Sequence, residues 1–423
     1  MISNRTNIGF FPRIRNIITD NFYIIFVLLS FLSFRSLIPD SIRTAMWIVL
    51  FILNIPLVFR RKGVIDNLII LYILLGLFSF LGWVQRQYPI SFFFTILFQS
   101  YVPIIFYYIG CESSGQYPVF YRRCMYAFLV VNLVGFILLY TMPGWYVEKS
   151  LEILNQLSYY TEDTLKYARF ASFLDSYHTA NFSVFLLCIS LGGYYFMNDK
   201  PRARIFFMFV LMVSMIGILL SQQRVAMFIG IALFPCGMFL MRKKGSSSKK
   251  ASLRLAFLLV ICLVGIVLLA FRFADYFSIE DILVRFSGSS RETMVSDRSW
   301  TWVNALKSQE NFIWGHGLGG GGHLASAAGI KPVVTDGSYF VILLETGLLS
   351  LICFLAILGL TVIRGLKHST ENFIDLTIVV FSCFSLIGAN IIYYPYIIGI
   401  MWYAIGRINR KRTIIQCNNE KEY

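Results

Sequence analysis

Apolar residues run along this chain in unbroken blocks of roughly 20, the length an α-helix needs to cross the hydrocarbon core of a bilayer. A barrel strand facing lipid on one side would alternate apolar and polar positions. Continuous blocks read as helices, whose backbone polar groups are satisfied internally. The predicted spans cover 21–36, 43–59, 64–83, 90–109, 124–142 and 181–197, then 204–220, 225–241, 253–271, 338–363, 373–390 and 391–405. The pattern predicts an all-α polytopic membrane helix bundle of about twelve spans, a single integral membrane domain over 1–423. Only a tight break near Asn390–Tyr394 separates the last two blocks, so eleven spans stays open.

The polar punctuation between blocks sets an orientation. Arg13 and Arg15 precede the first block, Arg60, Arg61 and Lys62 follow the second, and Arg122 and Arg123 follow the fourth. Lys200, Arg202 and Arg204 follow the sixth, Arg242, Lys243, Lys244, Lys249 and Lys250 the eighth, Arg364 and Lys367 the tenth, and Arg410, Lys411 and Arg412 the last. Every alternate loop is basic, which places those loops and both termini in the cytoplasm. The net charge of +15 is accounted for by these short loops, so it does not signal nucleic-acid binding. With 57% hydrophobic and 14% charged residues and a mean hydropathy of +0.68, the chain lacks the polar surface a soluble fold of this length needs. The stretch from Arg13 runs into a full span rather than a cleavage site. The eight cysteines (Cys111, Cys124, Cys188, Cys236, Cys262, Cys353, Cys383 and Cys417) show neither metal-ligand spacing nor a disulfide framework and read as packing or cytoplasmic residues.

Two long loops fall on the outer face, 143–179 and 272–337, the second between spans nine and ten. In the second, 279–286 is amphipathic, and Ser296 or Asp297 caps an expected helix whose apolar face includes Trp302, Ala305 and Leu306. The glycine-rich run from Trp314 to His323 follows; it cannot form a regular element and lacks the GxxxxGK[ST] phosphate-loop pattern. Its plain reading is a flexible turn; its functional reading is a loop through which backbone approaches a ligand. The cytoplasmic loops hold no ATP-binding motif, so chemistry is expected in the membrane or at the outer face.

Charged groups at membrane depth or its border are costly and mark functional candidates. Arg224 in Ser221-Gln-Gln-Arg224, Arg169 before the sixth span, and Arg291 and Arg298 in the large loop are positioned to bind phosphate through a planar, permanently charged fork. Each also has a plain role available, snorkelling or pairing with a loop carboxylate such as Asp175 or Asp297. His316, His323 and Asp336 are candidate bases, and Glu345 lies about two turns into the tenth span. Aromatic residues, 17% of the chain, read chiefly as lipid-facing or interfacial.

From Asp297-Arg-Ser-Trp300 through Gly317-Leu-Gly319, and again at Asp336-Gly-Ser-Tyr339 through Glu345-Thr-Gly347, the chain resembles the O-antigen polymerase and O-antigen ligase superfamily. It is closest to Wzy-type polysaccharide polymerases. Arg169 to Asn181, which includes Asp175 and His178, is similar to that family's Arg-x-x-Gly-x-x-x-x-x-Asn element, with Ala171 at the glycine; Ser221–Arg224 looks like its Ser-Arg turn with Gln222 and Gln223 inserted. The ligases carry a histidine where this chain has Asp336, which favours polymerase over ligase and leaves the base open. The resemblance implies glycosyl transfer between two undecaprenyl-diphosphate-linked oligosaccharides, donor and acceptor, at the outer face of the inner membrane. No cofactor or metal is required, and a chain-length regulator is a possible partner. Asp336, His323 and Arg298 are then the catalytic candidates. Arg169, Arg224, Arg291, Asp175, His178, Trp300, His316, Tyr339 and Glu345 are the candidates for holding diphosphate and sugar. An O-antigen-type ligase and a polytopic transporter or flippase of lipid-linked glycans are the competing readings. The second predicts similar halves, and none is visible.

Overall fold

The computed structural model describes residues 10–59, 63–86, 89–156, 171–196, 201–221, 223, 225–230, 232–233, 302–307, 312–322, 325, 329, 334 and 336–419. Among them every regular element is helical. In chain order these are α1 (Phe10–Asp20), α2 (Phe22–Phe34), α3 (Ser41–Val58), α4 (Val64–Phe78), α5 (Phe80–Arg86), α6 (Ile90–Ile96) and α7 (Ile105–Glu112). After them come α8 (Val119–Thr141), α9 (Gly144–Gln156), α10 (Ser176–Phe196), α11 (Pro201–Leu220), α12 (Ser338–Lys367), α13 (Phe373–Gly388) and α14 (Pro395–Asn419). Seven of the described helices are long and apolar enough to cross a membrane, or eight when α1 and α2, bent by 56°, count as one span. The chain is thus a multi-pass membrane helix bundle. The predicted span 253–271 and most of 225–241 lie outside the described residues.

Burial sorts the helices by neighbour. The hydrophobic window of α10 is 89% buried, so it is surrounded by protein, whereas that of α3 is 22% buried and faces outward along most of its length. Inside a bilayer, helices gain nothing by hiding apolar surface from lipid, so close approach and shape fit drive their association. The most extensive contact, α7 against α14, shows this. A side chain on Gly110 would run into the Tyr403 carbonyl, and one on Gly406 into that of Tyr107. An aromatic cluster fills the bundle beside this seam: Phe22 packs edge-on to Trp47 at 4.7 Å and Phe26 stacks on Tyr396 at 3.5 Å.

Three spans lose regularity, and the irregular parts meet. The span predicted at 90–109 passes through a π-turn (Leu97–Tyr101) and a 3-10 turn (Val102–Ile104) around Pro103. The predicted break near 390–394 is a 3-10 turn, Ile391–Tyr393, after which α14 starts at Pro395. An unexpected break interrupts α12 at Gly347, with φ 84° and ψ 176°. Backbone freed inside a membrane must find partners within the protein. Here the glycine-rich segment supplies them: His316 N donates to Leu344 O at 2.7 Å and Gly317 N to Glu345 O at 2.9 Å, while Leu348 N donates to Phe312 O at 2.7 Å. The segment 315–322 is buried, which corrects its reading as a flexible turn. Ser100 Oγ closes the set by donating to Ile392 O at 3.1 Å.

Candidate functional site

The first polar centre is built on the start of α10. Its approach, 171–175, is tied down locally: Thr179 Oγ1 donates to Ala171 O at 2.7 Å, and Ser172 Oγ donates to Val131 O on α8 at 2.8 Å. Asp175 then caps the helix, its Oδ1 accepting from His178 N at 2.7 Å. The same carboxylate faces the imidazole, with Oδ2 2.6 Å from His178 Nδ1. Partial burial works to raise the Asp175 pKa, but the His178 ring and the backbone N–H groups of His178 and Tyr177 outweigh it and hold the carboxyl below its ordinary range. Asp175 is therefore ionised at neutral pH, and that state is lost only as the pH falls through the lowered value.

Tyr394, in the break before α14, completes this centre. Its ring meets His178 edge-on at 5.0 Å and stacks on Tyr177 at 5.8 Å, and its hydroxyl feels the charges of Asp175 and Asp336. Four separated positions, Asp175, His178, Asp336 and Tyr394, thus gather at one end of the bundle. Asp336 precedes α12 and is fixed by its carbonyl, which accepts from Trp302 Nε1 at 2.8 Å, while the Trp302 ring stacks on Phe340 at 4.6 Å. At this end too, Arg35 lies over Trp145 at 4.9 Å, and Arg43 pairs with Asp40 at 2.9 Å.

The second polar centre lies at the α12 break. Glu345, 2% exposed, accepts from Tyr393 Oη at 2.6 Å and from Gly321 N at 3.2 Å. Consecutive tyrosines therefore serve different centres, Tyr393 the glutamate and Tyr394 the histidine.

Of the residues singled out from sequence, the structure pairs Asp175 with His178 and sets Asp336 within electrostatic reach of Tyr394 beside them. It sends Glu345 and His316, which is 1% exposed, to the α12 break instead. Tyr339 turns away from both, its hydroxyl donating to Cys383 O at 3.1 Å. Arg169, Arg224, Arg291, Arg298, Trp300 and His323 lie outside the described residues, as does the predicted cap at Ser296 or Asp297. The helix that cap would open is present at 302–307, with Ala305 buried. Sequence reading missed Tyr393 and Tyr394, although Tyr393-Tyr394-Pro395-Tyr396 is an unusually polar run inside an apolar block. It also missed the ion pair Asp375–Arg407, where Arg407 Nε donates to Asp375 Oδ1 at 2.8 Å, both side chains nearly wholly buried. Among the described residues no three His, Cys, Asp or Glu side chains gather as a metal site.

Chemically, the first centre offers an imidazole with one nitrogen fixed by a carboxylate, a phenol and a second carboxylate, which is a proton-handling and hydroxyl-binding set. No family model, curated protein or solved structure matches this chain.

Proposed function

We propose that the protein polymerises undecaprenyl-diphosphate-linked oligosaccharide repeat units into a surface polysaccharide at the outer face of the bacterial inner membrane. The observation that carries this reading is the gathering of Asp175, His178, Asp336 and Tyr394 at one end of a membrane bundle. By the alternation of basic loops, that end faces outward. Joining two such glycolipids needs a base for the acceptor hydroxyl, cations for the departing diphosphate and an apolar flank for the lipid chains. The first centre supports the base, and Arg35 adds a cation at the same end to the arginines expected from sequence.

The test is mass spectrometry of lipid-linked glycans from cells with and without the protein. Single-repeat glycolipid with no longer chains is expected in its absence; unchanged chain lengths would overturn the proposal. A ligase acting on the same donor would instead leave long lipid-linked chains without their final acceptor. One observation favours a second reading, transport: the broken α12 with its buried glutamate resembles the discontinuous helices on which secondary transporters build binding sites. Against it, the Glu345 carboxylate is engaged by Tyr393 and Gly321.

A further inference from the structure

We propose that His178, oriented by Asp175, is the catalytic base of this site, taking the acceptor's proton at Nε2; the inference rests on the glycosyl-transfer reading above. With the ionised Asp175 2.6 Å from Nδ1, that nitrogen holds the ring proton and Nε2 presents a lone pair. Nε2 is buried and finds no hydrogen-bond partner among the described residues. The ring is boxed by Phe26 of α2 at 6.2 Å, Phe182 of α10 at 5.8 Å, Tyr396 of α14 at 6.2 Å and Tyr394 at 5.0 Å. Only Tyr394 among these stands on non-helical backbone, so it is the side that opens without disturbing a helix, and its hydroxyl is within electrostatic reach of Asp336. The titratable groups facing His178 are thus Asp175, Tyr394 and Tyr396, with Asp336 acting electrostatically on Tyr394. The Asp40–Arg43 pair lies toward Tyr396.

In the reaction, the acceptor oxygen forms a bond to the donor's anomeric carbon as its proton passes to Nε2. The bond from that carbon to the diphosphate oxygen breaks, and its electron pair leaves with the lipid diphosphate. The imidazolium, stabilised by Asp175, then releases its proton to water. The other candidates fit less well. Glu345 is engaged by Tyr393, and His316 is sealed against α12.

The competing account is that Asp175 is a helix cap and nothing more. Asparagine caps a helix as well as aspartate does, so Asp175→Asn separates the two. The experiment measures the rate of chain elongation in membrane vesicles holding the full chain, supplied with single-repeat glycolipid from cells lacking the protein. Elongation by His178→Ala is expected to fall about 100-fold or more. In Asp175→Asn the rate is expected to fall about tenfold or more, because the amide no longer fixes the ring with its proton on Nδ1 and its lone pair on Nε2. An Asp175→Asn rate within twofold of an active wild type overturns the inference alone, as does a His178→Ala rate within twofold of wild type. If His178→Ala fails to accumulate in the membrane, the His178→Gln and Asp175→Asn rates decide. A wild type that elongates nothing overturns the glycosyl-transfer reading and this inference with it.

Discussion

Gly347 shows how one residue sets the path of a span. Its backbone, φ 84° and ψ 176°, lies in a region reserved for glycine, and an added Cβ would run into the Ile313 carbonyl. Gly347→Ala is expected to cost about 1–3 kcal/mol from backbone conformation alone, with the steric clash added. Gly359, on the same helix with open space around it, serves as the control. Its alanine variant should hold or slightly raise thermal stability in detergent, since alanine favours helix. Equal melting behaviour of the two variants would contradict this role for Gly347. Nothing local announces the break: Glu345-Thr-Gly347 sits in a block apolar enough to read as one continuous helix. Asp175 and His178 were singled out in the sequence as loop residues before a span placed at 181; that the helix starts at Ser176 and that Asp175 caps it came from the structure.

At the scale of elements, the bundle is fastened at two levels by contacts between helices remote in sequence. One is the Asp375–Arg407 pair joining α13 to α14, widened by Tyr121 of α8, whose hydroxyl donates to Asp375 at 2.7 Å, and by Arg407 Nη1 donating to Ser113 at 3.1 Å. Removing one member of a buried pair strands the other charge. Arg407→Met is therefore expected to destabilise by about 3–5 kcal/mol. The double variant Arg407→Met with Asp375→Leu should recover most of that loss, and thermal melting of the purified variants compares them. A double variant as unstable as the single one would show that the pair does more than neutralise itself. The other fastening is the meeting of irregular segments, where Tyr393, Ser100 and the glycine-rich run satisfy one another. The break was legible in the sequence near Asn390–Tyr394, but its partners, some 50 to 290 residues away, were not.

At the scale of the whole molecule, the alternation of basic loops predicts a cytoplasmic C-terminus and outer segments near 160 and 290. Reporter fusions test it. Alkaline phosphatase should be active when fused at those two segments and inactive at the C-terminus, and the reverse pattern would invert the proposed site. That the chain is a membrane helix bundle was determined by the sequence alone, because lipid imposes a local rule: a long apolar block must be a helix. Which polar residues meet was decided by the tertiary structure. Asp175 and His178 find Tyr394 and Asp336, while Glu345 finds Tyr393 and a buried glycine loop. Those pairings depend on how helices of nearly uniform apolar character pack side by side, and that packing rests on small contacts and broken helix ends that no hydropathy pattern encodes.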